Sequence, residues 1–204
     1  MANTRRSLSA AVVLIAVAGC HDPFPRPPSP EVRLFEKGIY QFLYDEADRP
    51  LRILTDADRN GVADTIELFD DRMLRRVERD TDADGVIDHW EEYRRTGELE
   101  RVGTSQPGAG RPDEWAYLDG FGGVRMRQLD EDGDGRIDRV EHFDGGTLAG
   151  VSLDGDADGQ FDRWQDWEAE ELVAERFDTD SDGVPDRRVR FGRGGDVIAV
   201  ERYP

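Results

Sequence analysis

Asp80 to Leu99 reads DTDADGVIDHWEEYRRTGEL. Acid alternates at Asp80, Asp82 and Asp84, glycine follows at 85, and the next acid is Asp88. Reading outward, the nine-residue opening D-x-D-x-D/N-G-x-x-D recurs at Asp56 (DADRNGVAD), Asp130 (DEDGDGRID), Asp154 (DGDADGQFD) and Asp178 (DTDSDGVPD). The five starts are 24, 50, 24 and 24 residues apart, and 50 is two periods of 25. A decayed copy therefore belongs at Ser105, where SQPGAGRPD keeps Gly110 and Asp113 but has lost the earlier acids. Trp90, Trp115 and Trp164 each lie two residues after the final acid of their copy, and Phe69, Tyr93, Phe143, Trp167 and Phe191 lie five after it. Leu74, Leu99, Val124, Leu148, Leu172 and Val197 recur ten or eleven after it. Six copies at one phase define a tandem array, in which each unit buries its apolar positions only against its neighbours.

The spacers decide the fold. Only 12 residues separate one 12-residue loop from the next, too few for two helices and a connection. Most carry glycine near the middle: Gly97, Gly120 with Gly122 and Gly123, Gly145 with Gly146, and Gly194 with Gly195. Glycine weakens a helix and suits a turn. Before the first loop, Ile39 to Tyr44 (IYQFLY), DEADRP and Leu51 to Leu54 (LRIL) read as strand, turn and strand. The expected fold is all-β, with β-hairpin repeats of 24–25 residues joined by acidic loops into an extended sheet or solenoid. The alternative is a helical array. Trp164 to Phe177 (WQDWEAEELVAERF) has no glycine and is rich in helix formers, and Leu74 and Val77 are three apart.

Alternating carboxylates at positions 1, 3 and 5, with glycine for a sharp turn at 6, suit a hard cation that wants six to eight oxygen ligands. The candidate ligands are Asp56, Asp58, Asn60 and Asp64 in the first copy, and Asp80, Asp82, Asp84 and Asp88 in the second. The fourth copy supplies Asp130, Asp132, Asp134 and Asp138. The fifth offers Asp154, Asp156, Asp158 and Asp162, and the sixth Asp178, Asp180, Asp182 and Asp186. These loops resemble the calcium loop of EF-hand proteins. That resemblance implies Ca²⁺, up to about five ions, and an acidic ligand at position 12. Glu67, Glu91 and Glu141 stand there in the first, second and fourth copies, but Gln165 and Val189 in the last two. The last two loops are therefore expected to bind more weakly, or to use Asp162 and Asp186 directly. Dockerin modules are similar in loops and period and imply helices and a protein partner. Thrombospondin type 3 repeats share the aspartates but carry disulfide cysteines absent here.

The start of the chain bears on where it works. Met1 to Cys20, MANTRRSLSAAVVLIAVAGC, has a basic start at Arg5 and Arg6, an apolar run and small residues before the cysteine, as a secretory signal does. Its close resembles the lipobox of bacterial lipoproteins. The resemblance implies cleavage after Gly19, lipidation of Cys20 and attachment to the cell envelope, with the outer membrane of a Gram-negative bacterium as the expected site. Asp22 to Pro30 (DPFPRPPSP) then forms a semi-rigid stalk. The expected divisions are a signal at 1–19, lipidated cysteine and stalk at 20–32, a capping hairpin at 33–55 and the six repeats at 56–204.

The net charge of −19 becomes −21 without the two signal arginines, and about half of the 46 acidic residues lie in the five intact loops. Such a surface opposes nucleic-acid binding, which needs basic stripes. Five Ca²⁺ ions would bring −21 to −11, and without metal the array is expected to be loose, since metal binding is then part of the folding free energy. Cys20 is the only cysteine, His21, His89 and His142 do not cluster, and no nucleophile, phosphate loop or zinc motif is visible. A non-enzymatic protein is expected: a calcium-binding, lipid-anchored spacer or adhesive surface, with an envelope protein or polysaccharide as candidate partner. The alternative is a calcium-dependent docking module.

Overall fold

A computed structural model describes residues 32–203. The segments expected to form the signal (1–19) and nearly all of the lipidated cysteine and stalk (20–32) lie outside the described residues. The chain forms one open sheet of 15 strands in which spatial order equals chain order and every pairing is antiparallel. No helix occurs among the described residues. Three strands precede the first acidic loop: β1 (Arg33–Lys37), β2 (Tyr40–Tyr44) and β3 (Pro50–Thr55). After it come β4 (Thr65–Asp70), β5 (Met73–Arg79), β6 (His89–Tyr93), β7 (Leu99–Thr104), β8 (Glu114–Leu118) and β9 (Val124–Leu129). The second half contributes β10 (Arg139–Asp144), β11 (Thr147–Leu153), β12 (Arg163–Glu168), β13 (Glu171–Phe177), β14 (Arg187–Phe191) and β15 (Val197–Arg202). The hairpin-repeat expectation holds, as an extended sheet, and β1 adds a strand to the two read before Asp56.

In a meander, alternate connections fall at opposite ends of the strands. All six repeat loops therefore line one end of the sheet, beside the β1–β2 turn at Gly38 and Ile39, and the other hairpin turns line the opposite end. Successive loops are two strands apart, about 9.6 Å at ordinary strand spacing.

The periodic residues are cross-strand partners. Phe69 stands opposite Leu74, Tyr93 opposite Leu99, Phe143 opposite Leu148, Trp167 opposite Leu172, and Phe191 opposite Val197. In the decayed copy Leu118 takes the aromatic place, opposite Val124. The register slips by one residue just before each of these pairs, whereas the loop-joined pairs run without a slip. A bulge at a fixed place strengthens the local twist and keeps the aromatic on the same face in every copy.

Burial comes from neighbours within a single layer. Val77, Trp90, Val140, Val151, Ala174 and Val189 form the buried apolar set. Long arginines cover the strands and pair with acids: Arg79 with Glu91 at 2.6 Å, Arg101 with Glu92 at 2.7 Å, Arg127 with Glu114 at 2.6 Å and Arg176 with Asp166 at 2.9 Å. Their methylene stems shield apolar surface while the forked heads satisfy carboxylates, a role a lysine fills poorly. Only Lys37 among the basic residues is lysine.

The helical alternative fails at the segment that suggested it. Trp164 to Phe177 is the β12–β13 hairpin, turning at Ala169 and Glu170 with φ of 50° and 66°. Two consecutive positive φ values belong to a type I′ turn, whose twist matches that of the strands. Helix propensity here is outweighed by pairing on both sides, with β11 and β14. Neither turn residue is comfortable in the left-handed region. Replacing the pair with Asn-Gly (Ala169→Asn, Glu170→Gly) is expected to stabilise the protein by about 1 kcal/mol, seen as a higher melting temperature. A lower melting temperature would contradict this turn geometry.

Candidate metal centres

Each acidic loop is built by the same hydrogen bonds. The position-1 aspartate accepts from the glycine N–H at position 6: Gly61 to Asp56 at 3.0 Å, Gly85 to Asp80 at 2.8 Å, Gly135 to Asp130 at 2.9 Å, Gly159 to Asp154 at 2.7 Å and Gly183 to Asp178 at 2.6 Å. The position-7 N–H donates to the side chain at position 5, as from Val86 to Asp84 at 2.8 Å and from Val62 to the Asn60 amide oxygen at 2.7 Å. Glycine at position 6 has φ of 90° at Gly85 and 97° at Gly135, a conformation a side chain resists. The backbone thus wraps the loop, and the carboxylates converge.

Five clusters result, each with three carboxylate oxygens within 4.8 Å of one another: Asp56, Asp58 and Asp64; Asp80, Asp82 and Asp88; Asp130, Asp132 and Asp138; Asp154, Asp156 and Asp158; Asp178, Asp180 and Asp182. Asn60, Asp84, Asp134, Asp162 and Asp186 belong to the same loops but not to these closest sets. The position-12 residues do not join them either. Glu67, Glu91, Glu141, Gln165 and Val189 lie in the strands and share one row across a face of the sheet with Val77 and Val151. Glu91 is engaged there by Arg79 at 2.6 Å and by the Tyr93 hydroxyl at 2.5 Å, and Glu141 by Arg139 at 2.8 Å. Desolvation works to raise the Glu91 carboxyl, but its Arg79 and Tyr93 donors outweigh that and hold it below its ordinary value. Desolvation, reinforced by Glu91, pushes the Tyr93 phenol up to about 12.

Charge is crowded in the loops. Desolvation, then the carboxylates of Asp84, Asp88 and Asp80, push Asp82 above its ordinary value against the pull of the Asp84 N–H. Asp180 is raised first by Asp182 and then by desolvation. At Asp178 desolvation acts upward, but the N–H groups of Gly183, Ser181, Asp182 and Asp180 prevail and lower it. Asp130 is the most enclosed ligand candidate. Its side chain is 3% exposed, and its Oδ1 is buried without a hydrogen-bond partner.

The final aspartate of the motif has a second job. Its side chain accepts from the position-2 residue across the loop: Asp64 from Ala57 at 2.5 Å, Asp88 from Thr81 at 3.0 Å, Asp138 from Glu131 at 2.6 Å and Asp162 from Gly155 at 3.1 Å. In the sixth copy the Thr179 hydroxyl donates to Asp186 at 2.5 Å. The backbone N–H of this aspartate also bonds the residue before the loop, and its carbonyl accepts from the start of the next copy, as in Asp88 N–H to Arg79 and Ser105 N–H to Asp88, both 3.0 Å. The decayed copy keeps the latch, with Gln106 donating to Asp113 at 2.9 Å. That latch gives Asp113 a use where the other acids are gone. Asp113→Ala is expected to lower stability by roughly 1.5–3 kcal/mol, as for other hydrogen bonds to a charged group, with calcium stoichiometry unchanged. Denaturation and titration of the same variant check both halves.

Two arginines outside the acidic pattern reach neighbouring loops. Arg111, at position 7 of the decayed copy, donates to the Gly133 carbonyl and approaches Asp130 Oδ2 at 3.4 Å. Arg136, at position 7 of the fourth copy, reaches the Asp158 carbonyl at 3.3 Å. The signal in the sequence is that position 7 is uncharged in the other copies, as Val62, Val86, Gln160 and Val184.

No family model matches the chain, and no curated protein resembles it in sequence. Among solved structures, a mutant of TarM from S. aureus, in complex with fondaparinux, alpha-GlcNAc-glycerol and UDP, is 8% identical over 58% of this chain, with a TM-score of 0.29. Accessory secretory protein 1, 2 and 3 of Streptococcus pneumoniae matches at 13% identity over 61% of this chain, also with a TM-score of 0.29. The chain spans 21% of the length of each. Likenesses of that degree carry no inference about activity.

Proposed function

We propose that this is a non-enzymatic, calcium-binding protein of the bacterial cell envelope, anchored by lipid at Cys20 and presenting a row of cation-filled loops along one end of a single-layer sheet. The observation that carries the metal reading is Asp130. A carboxylate oxygen buried without a donor is costly, and here it belongs to a cluster with two further carboxylates. A hard cation satisfies all three at once, and carboxylate, carbonyl and amide oxygens are the donors Ca²⁺ takes. When bound, the ion supplies positive charge and coordination; the chain supplies wrapped loops held open by their own backbone donors. A strand-built array that touches only its neighbours suits a spacer or an interaction surface facing envelope protein or polysaccharide. A docking module built on helices has no basis in strand-forming spacers.

Titration calorimetry tests this most directly. About five ions are expected to bind, within the ~10⁻⁴ to 10⁻³ M range common for extracellular calcium modules. Asp80→Ala with Asp84→Ala should remove about one of them. No heat of binding at millimolar calcium would refute the metal reading.

A further inference from the structure

We propose that Arg111 is a resident cation of the fourth loop and sets its calcium affinity below that of the second. The inference rests on the calcium reading above and concerns how one of those sites is regulated. The decayed third copy has lost the acids at positions 1, 3 and 5, yet its position-7 side chain is not idle. The Arg111 guanidinium donates to the Gly133 carbonyl and stands 3.4 Å from Asp130 Oδ2, the same oxygen that accepts from Gly135 N–H. It also lies over Gly135, where a Cβ would come within 2.5 Å of Nη1. Only a glycine leaves it that place.

The second loop has no such visitor. Nothing lies within 4 Å of a Cβ built at Gly85, and the position-7 residue of the copy before it is the uncharged Val62. Both loops carry aspartate at positions 1, 3, 5 and 9, but position 7 is Val86 in the second and Arg136 in the fourth, whose guanidinium stands 3.9 Å from Asp134, so the charge of Arg111 is isolated by its own substitution. A divalent ion held by Asp130 is thus one carboxylate away from a fixed positive charge. Like-charge repulsion at such a range, screened by water, amounts to roughly a tenfold rise in dissociation constant. Arg111 is 42% exposed while the Asp130 side chain is 3% exposed, so the guanidinium approaches from the solvent side and has room to withdraw. A copy that binds no metal therefore governs the filling of the next.

Calcium titration of the ¹⁵N-labelled protein, followed at the Gly85 and Gly135 amides, tests this. Both glycines donate to a position-1 aspartate, so each reports its own loop. In the wild type, Gly135 is expected to reach its midpoint at about tenfold more calcium than Gly85. Arg111→Gln, which keeps an amide donor at that position but removes the charge, should lower the Gly135 midpoint about tenfold, Arg136 still being in place, and leave Gly85 where it was. Coincident wild-type midpoints would overturn the proposal. So would a Gly135 midpoint that is unmoved or raised in Arg111→Gln, which would make the arginine a brace for the loop. If neither glycine responds by about 10 mM calcium, beyond the weakest extracellular modules, the calcium reading falls first.

Discussion

Protein stripped with a chelator is expected to melt ~15–25 °C lower than protein in millimolar calcium, the largest change any single condition should produce. A site that binds the folded state alone contributes about 1.4 kcal/mol when free ligand is tenfold above its dissociation constant. With calcium tenfold above the weakest dissociation constant, five such loops sum to at least about 7 kcal/mol, and a domain of this size shifts by ~2–4 °C per kcal/mol. The direction follows from the loops themselves. Asp82 and Asp180 are both raised partly by like charge on neighbouring carboxylates, so the array carries repulsion that a cation removes. Magnesium should do far less, because it demands near-octahedral geometry and gives up water reluctantly. The far-ultraviolet spectrum should remain that of a β protein throughout, because the loops already close through backbone donors and aspartate latches. Equal melting temperatures in chelator and calcium would remove the main support for the proposed function.

Much of this was legible in the residues, for one physical reason: each copy solves the same local problem. The alternation of acids with glycine at position 6 marked every loop, and the five clusters form within those loops. The aromatic and aliphatic phases marked pairs such as Tyr93 with Leu99 before any strand was placed, because a hairpin brings those two positions opposite each other. Three things lay beyond a linear reading. The turn at Ala169 and Glu170 uses a left-handed backbone without the glycine or asparagine that would announce it. Position 12 carries Glu91 and Glu141, residue types suited to a ligand, yet strand periodicity puts them in a row across the sheet face where arginines from adjoining positions engage them. Arg111 and Asp130 are 19 positions apart in the chain, and only stacking of successive loops brings them together. Contacts between units, set by the twist and spacing of the sheet, are invisible to a pattern that repeats within units.

Trp90→Ala is expected to cost ~3–5 kcal/mol even at saturating calcium, and to split one thermal transition into two. Trp90 is 1% exposed, the largest fully buried side chain in a sheet that has no second layer among the described residues. It stands on β6 between Glu78 and Gly103, and beyond Gly103 comes Trp115, whose ring lies 3.0 Å from where a Cβ at 103 would sit. Arg101 covers that ring at 4.0 Å, and its guanidinium is held by Glu92 at 2.7 Å and by the Tyr117 hydroxyl at 2.9 Å. Close packing therefore spans β6 to β8, across the copy whose loop lacks the acids at positions 1, 3 and 5. Burial and cation–π contact there take over the joining that calcium is proposed to provide elsewhere. Because each strand touches only the strands on either side, a weak junction has no bypass through another layer. Loss of Trp90 should leave β1–β5 and β9–β15 intact as separate cooperative blocks, each still answering to calcium through its own loops. Scanning calorimetry in calcium should then show two resolved peaks, and fluorescence of Trp164 and Trp167 on β12 should follow only the peak of the second block. A single peak displaced by less than ~2 °C would mean that the seam through the decayed repeat is not what couples the two halves.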